Sequence, residues 1–367
     1  MTWHRPFLII LAAVSLGFHI LAQEKPDDVV KVDTQLVNIP VIVSDRNNRY
    51  IPGLAKENFQ LFRDGNAQKI DIFGNENAPM NIVLALDTSQ STTPVLDKIK
   101  KAAKEFIKDL SSEDRCMVIS FDSDIHLLSQ LTSDKKELKS SIESAEISET
   151  PGTLLNDAVY DAVNKTLKPV HGRKAIILLT DGEDFGSSHY QSELLDRLNE
   201  SDTVIYPVYY DSRAEVRKMV QNRFPRGGGM GRFPGGMGRF PGGMGRGGMG
   251  RFPGGGGMGR YPGGGRRGGG GGNGQRRRRP NSDEAALDAT AFLQKLADVT
   301  GGRFLTAQKS DLKDAFTQIA EEMKRQYVLG FYPLDEAEAG VIHRVKVTVD
   351  RQDASVRSKS TYRTQTK

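Results

Sequence analysis

Asp87, Ser89 and Ser91 place an oxygen-bearing side chain at every second position directly after the apolar run "NIVLAL". One carboxylate and two hydroxyls are hard donors of the kind that hold Mg²⁺, Mn²⁺ or Ca²⁺. Taken alone, the trio reads equally well as a strand end followed by a turn whose hydroxyls bond local backbone. Two remote residues change the balance: Thr153 on the Gly-containing loop "SETPGTLLND", and Asp181 in "LLTDGED". Together the five supply two carboxylates and three neutral hydroxyls. Such a set leaves a divalent cation with net positive charge, so an acidic side chain from another molecule can complete its shell.

Bringing these residues together requires elements that end at one rim. "NIVLALD", "CMVISFDS", "KAIILLTDG" and "DTVIYPVYYD" are continuous apolar runs, and segments with helical periodicity separate them. In "PVLDKIKKAAKEFIKDL", Val95, Ile99, Ala102, Phe106 and Leu110 share one helical face. Helical patterns follow around "KKELKSSIESA", "LNDAVYDAVNKTL" and "QSELLDRLNES", then in "SDEAALDATAFLQKLADVTGG", capped by Ser282 with Gly301 past its end, and in "DLKDAFTQIAEEMKRQ". Fully apolar strands alternating with helices predict an α/β fold, a doubly wound and mostly parallel sheet covered on both faces. Ligands of such sheets gather beyond the carboxyl ends of the strands, where Asp87 and Asp181 both fall.

At these residues the chain resembles the von Willebrand factor type A family. That family's metal-ion-dependent adhesion site has the pattern D-x-S-x-S, then a threonine in a Gly-containing loop, then an aspartate after a later strand. The resemblance implies that Ser89, Ser91 and Thr153 are ligands of Mg²⁺ or a related ion, with Asp87 and Asp181 as direct or water-bridged partners. It also implies a protein partner supplying an acidic side chain, and no catalytic residues. Gln90 stands where the pattern usually has glycine. The flanking stretches "ENFQLFRDGNAQKIDIF" and "RQYVLGFYP" look like those of the related secreted proteins of acidobacteria. The segment "LDTSQST" also shares a strand-end aspartate with aspartyl-phosphate phosphatases, but Ser89 occupies the place of their second, acid–base aspartate. An enzyme is therefore not expected.

Arg5 precedes an apolar run from Phe7 to Ala22 and polar residues follow, the layout of a signal peptide over residues 1–22. A secreted, periplasmic or envelope location follows from it, with an uncleaved anchor as the alternative. Cys116 is the single cysteine, so no internal disulfide forms, and its setting in "RCMVISF" reads as a buried strand thiol. The six histidines show no metal-binding pairing, and Glu183 and Asp184 read as a solvated loop.

The domain plan is a β segment at 30–75, the α/β domain at 80–212 and 282–334, and a second β segment at 340–367 that pairs with the first. The "RDGNAQ" hairpin and the alternation in "HRVKVTVDR" motivate that pairing. Residues 213–281 interrupt the α/β domain with repeats close to R-F-P-G-G-M-G, too glycine-rich to order on composition. Between Arg223 and Pro280 stand thirteen arginines and no acidic residue, so the rest of the chain carries a net charge of −8 against +5 for the whole. Arginine interleaved with Phe, Tyr and Met suits a polyanion such as nucleic acid, polysaccharide or anionic lipid, through residues 223–280. A solvated spacer is the plainer account of the same text.

Overall fold

The structure is a computed structural model that describes residues 36–47, 49–74, 78–212, 282–307, 312–333 and 340–364. The expected signal segment and the Gly/Arg-rich insertion lie outside the described residues.

Four short strands come first: β1 (Val37–Asp45), β2 (Phe59–Arg63), β3 (Asn66–Gln68) and β4 (Ile72–Gly74). The central part then runs β5 (Met80–Asp87), α1 (Leu96–Asp109), β6 (Arg115–Phe121), β7 (Ile125–Thr132), α2 (Lys135–Glu143), α3 (Leu155–Asp161), β8 (Arg173–Thr180), α4 (Gln191–Glu200) and β9 (Val204–Tyr209). After the insertion come α5 (Ser282–Thr300), β10 (Leu305–Thr306), α6 (Leu312–Lys324), β11 (Tyr327–Phe331), β12 (Ile342–Val349), β13 (Ala354–Ser358) and β14 (Thr361–Arg363).

Strands β5 to β10 form one sheet in the order β10-β9-β8-β5-β6-β7. Its pairings are parallel except that of β6 with β7. All eight residues of β5 are buried, as a central strand covered on both faces must be. The two-residue period of a strand sends alternate side chains to opposite cores. Ile82, Leu84 and Leu86 meet Ile99 and Phe106 of α1, Leu138 of α2 and Phe316 of α6, whereas Val83 and Ala85 meet Leu155 and Val159 of α3, Leu194 of α4 and Leu293 of α5. Three helices thus cover each face. This is the expected doubly wound α/β fold. No described helix is long and apolar enough to cross a membrane.

The chain ends build two further four-stranded sheets, β13-β1-β11-β4 and β14-β12-β2-β3. They enclose one core that includes Ile39, Val41, Phe59, Leu61, Tyr327, Leu329, Phe331, Val345 and Val347. Strands β12 and β13, from the C-terminal segment, pair antiparallel with β2 and β1.

Two sequence expectations need correction. Residues 327–333 fall within the range 282–334 assigned to the α/β domain, but β11 pairs antiparallel with β1 and β4 and belongs to the β unit. Its apolar run matches a buried strand of either unit, and only the distant partner decides. Strand β7 is not among the strands expected from the sequence. It is an edge strand whose exposed His126, Leu127 and Gln130 and irregular register with β6 blur the alternation that marks a strand. The lone thiol of Cys116 is buried in β6, where burial pushes its pKa up to about 12, consistent with an inert core side chain.

Candidate metal site

The carboxyl end of β5 delivers Asp87, fully buried, to the rim of the sheet. The chain then turns through a single 3₁₀ turn, Gln90–Thr92, into α1. That turn folds the hydroxyls back on the carboxylate: Ser89 Oγ donates to Asp87 Oδ1 at 2.6 Å, the Ser89 amide donates to the same oxygen at 3.0 Å, and Ser89 Oγ lies 3.0 Å from Ser91 Oγ. Thr92 braces the turn, its hydroxyl donating to the Asp87 and Ser89 carbonyls. Gln90, in the place of the family's glycine, donates from Nε2 to the Glu149 carbonyl at 2.8 Å. The departure ties this turn to the loop that carries Thr153.

Asp181 follows β8, the neighbour of β5 on its other side. Thr180, the residue before Asp181, holds Asp87: its hydroxyl donates to Asp87 Oδ2 at 2.8 Å and accepts from the Gly182 amide at 2.9 Å. Gly182 has φ of +78°, and a Cβ there would lie 2.9 Å from Ala289 Cβ of α5, so glycine alone fits. Asp181 accepts from the Glu183 amide and, at 3.0 Å, from Ser212 Oγ.

Thr153 reaches the same rim by its backbone. Its amide and carbonyl exchange hydrogen bonds with Phe185, Leu154 N donates to the Asp122 carbonyl, and Ser148 N donates to the Thr88 carbonyl. The loop therefore crosses the ends of β5, β6 and the segment after β8. Its Gly152 has no room for a side chain, since a Cβ would sit 2.8 Å from Ser123 Cα. Among the described residues no hydrogen bond joins the Thr153 hydroxyl to the other four residues. Glu183 and Asp184 are exposed, and Asp184 instead accepts from the Asn156 amide at the start of α3.

The electrostatics of the site follow from burial. Burial pushes the Asp87 carboxyl up to about 7, the Asp181 carboxylate adds to the rise, and the Ser89 and Thr180 hydrogen bonds oppose it. Among the described residues neither carboxylate has an ion-pair partner, and no three His, Cys, Asp or Glu side chains form a cluster. Two carboxylates held close without a cation, under a canopy of hydroxyls, fit a hard divalent ion. Sequence reasoning missed Thr180, Ser212 and the Thr88–Asp122 hydrogen bond of 2.9 Å beside the site. Of these only Thr180 carried a signal, as the hydroxyl inside "LLTDG".

A doubly wound sheet with buried aspartates and clustered hydroxyls at its carboxyl rim is a recognisable class of domain. Residues 81–222 match the von Willebrand factor type A domain. No curated protein matches the chain. Among solved structures, BatB from Bacteroides thetaiotaomicron is 24% identical over 36% of this chain and 66% of its own, with a TM-score of 0.31. The vWF domain of the type V pili tip protein Mfa5 from Porphyromonas gingivalis is 13% identical, covering 66% of this chain and 94% of that one, with a TM-score of 0.40. Proximal thread matrix protein 1 from the mussel byssus, with a zinc-occupied MIDAS motif, is 19% identical over 39% and 40% of the two chains, with a TM-score of 0.35. This chain thus spans about two fifths of the byssus protein.

Proposed function

We propose that the protein is a binding module of the cell envelope or exterior that captures a protein partner through a divalent cation at the β5–β8 rim. Ser89, Ser91 and Thr153 would hold the ion, with Asp87 and Asp181 bonding it directly or through water. When bound, the ion supplies a Lewis-acidic position at which a partner's carboxylate can complete the shell. The observation that carries this reading is the pair Asp87 and Asp181: both buried at the same rim, and bonded only to neutral hydroxyls and amides among the described residues. Two neighbouring buried carboxylates are costly as free anions, and a divalent cation offsets both charges at once. No hydrolytic role is assigned, because Ser89 cannot exchange the proton that a second aspartate would.

The test has two parts. Mg²⁺ or Mn²⁺ titration by calorimetry is expected to show one site in the wild type and none in Asp87→Asn. A pull-down from envelope extract is expected to retain partners that are lost on adding chelator and lost with Ser89→Ala. Retention of the same proteins in every condition would refute metal-bridged capture. A second reading rests on the thirteen arginines and missing acids of residues 223–280, which suit a polyanion and can act beside the metal site. Salt-sensitive retention on heparin that survives deletion of 223–280 would remove it.

A further inference from the structure

Phe185 stands on the segment that follows Asp181, and its side chain is 71% exposed. Its amide and carbonyl exchange hydrogen bonds of 2.8 and 2.9 Å with Thr153, forming an isolated antiparallel bridge. Residues paired in this way send their side chains to the same side, with Cβ atoms about 5 Å apart. The ring therefore springs from beside one of the proposed cation ligands and reaches into solvent. The loop that carries it is already fixed. Asp184 accepts from the Asn156 amide and Ser187 Oγ, Asp157 accepts from the Ser188 and His189 amides and lies 2.7 Å from His189 Nδ1, and the His189 ring stacks on Tyr160. A partner that meets Phe185 has no loop to order.

Single exposed apolar side chains are ordinary on a protein surface. Here the three most exposed large ones among the described residues are Tyr190 at 75%, Phe185 at 71% and Leu287 at 69%, and all stand on segments that meet at the end of β8. Tyr190 opens α4, the helix after that strand, and Leu287 lies two residues before Ala289, which packs against Gly182. Charge narrows the partner further. Glu183 and Asp184 beside Phe185 are exposed acids, and so is Glu149, whose carbonyl Gln90 holds. Outside the cation this rim repels negative charge, so a partner with many acidic groups loses on its flanks what it gains at the ion. We propose that the partner is a protein segment with one acidic side chain set among apolar ones: the carboxylate completes the cation's shell and its apolar neighbours cover Phe185. This rests on the cation reading given above. It makes Phe185 a specificity-determining residue and separates the rim's partner from a polyanion.

The probes are synthetic peptides of equal length around a central aspartate, flanked by Leu, Phe or Met in one set, by Ser, Gly or Asn in a second and by Asp or Glu in a third. Binding to the whole chain and to its Phe185→Ser and Phe185→Leu variants is read by fluorescence polarisation in Mn²⁺ and in chelator, and ion affinity by calorimetry. Only the ion-dependent part is compared, because the arginines of residues 223–280 act with or without the ion. In the wild type the apolar-flanked set is expected to bind about 10- to 100-fold tighter than the other two. Phe185→Ser is expected to lose about tenfold of that preference and Phe185→Leu to keep most of it. Both variants should keep the wild-type ion affinity and thermal midpoint, because so exposed a side chain carries little of the fold. Equal binding of the sets, tightest binding of the acid-flanked set, no binding of any peptide by the ion-loaded chain, or an unchanged preference in Phe185→Ser overturns the proposal. So does weaker ion binding or a lower midpoint in Phe185→Ser, which would show that the ring braces the site rather than meeting a partner. A wild type that binds no Mn²⁺ would instead defeat the cation reading itself, which keeps the two failures apart.

Discussion

Two buried carboxylate sites in this molecule differ in how their charge is met. Glu322, on α6, is fully buried; its Oε2 accepts from Arg303 Nε at 2.8 Å and from the Tyr50 hydroxyl at 3.2 Å, while its Oε1 pairs with Arg357. Arg303 comes from the α/β domain, whereas Tyr50 and Arg357 come from the β unit, so this cluster joins the two. Asp87, equally buried, has Asp181 beside it and only hydroxyls and an amide for company. Burial alone does not mark a site for a ligand. What distinguishes the rim is that the protein leaves its charge unmatched, whereas at Glu322 two guanidiniums already match it.

Breaking the matched site should have the largest effect. Glu322→Ala leaves Arg303 and Arg357 without their carboxylate and is expected to cost about 3–5 kcal/mol, read as a lower urea midpoint. A loss under about 1 kcal/mol would show that the cluster is too well hydrated to be the counterpart of the rim. At the unmatched site, an ion at a hundred times its Kd should stabilise the wild type by about 2.7 kcal/mol. Asp87→Asn should remove that response while leaving the metal-free protein as stable as before or more so, because it deletes one of two repelling charges. Calorimetric scans with Mg²⁺ and with chelator check both halves.

The pH dependence sharpens the same contrast. With its pKa raised to about 7, folded Asp87 binds its proton more tightly than the unfolded chain does. Its contribution is therefore most favourable below the unfolded carboxylate value near 4 and is lost as pH rises through about 7. In chelator, Asp87→Asn should flatten the fall in midpoint between those pH values, and saturating Mg²⁺ should oppose it in the wild type by competing with the proton. The smallest effect belongs to Gln90→Gly, which removes the hydrogen bond to Glu149 and restores the family's usual residue. It should cost about 1 kcal/mol of stability and change metal affinity by no more than about threefold.

How much of this was legible in the sequence depended on whether the signal was local. Strand β5 and its terminal Asp87-x-Ser89-x-Ser91 could be read because an unbroken apolar run and a two-residue spacing are both visible within a dozen residues. The parallel sheet was legible for the same reason, through alternating apolar strands and amphipathic helices. Asp181 was reachable because it ends a second apolar strand of the same sheet, whereas Thr153, on a loop before a helix, gained a ligand's role only from the family resemblance. Ser212 and the β1 pairing of β11 left no trace, because each depends on segments that fold places side by side and sequence does not. Strand β7 was lost because an exposed edge with a bulge carries almost no hydrophobic pattern.

One feature of the topology bears on how the protein can be handled. Only Arg325 and Gln326 separate α6, which covers the α/β sheet, from β11, which lies between β1 and β4. A fragment trimmed to residues 81–222 would leave behind α5 and α6 and expose the apolar surface they shelter, including Phe106, which packs on Phe316, and Ile205 of β9. Recombinant pieces cut there should aggregate, whereas a chain from 36 to 364 keeps every described strand with its neighbour.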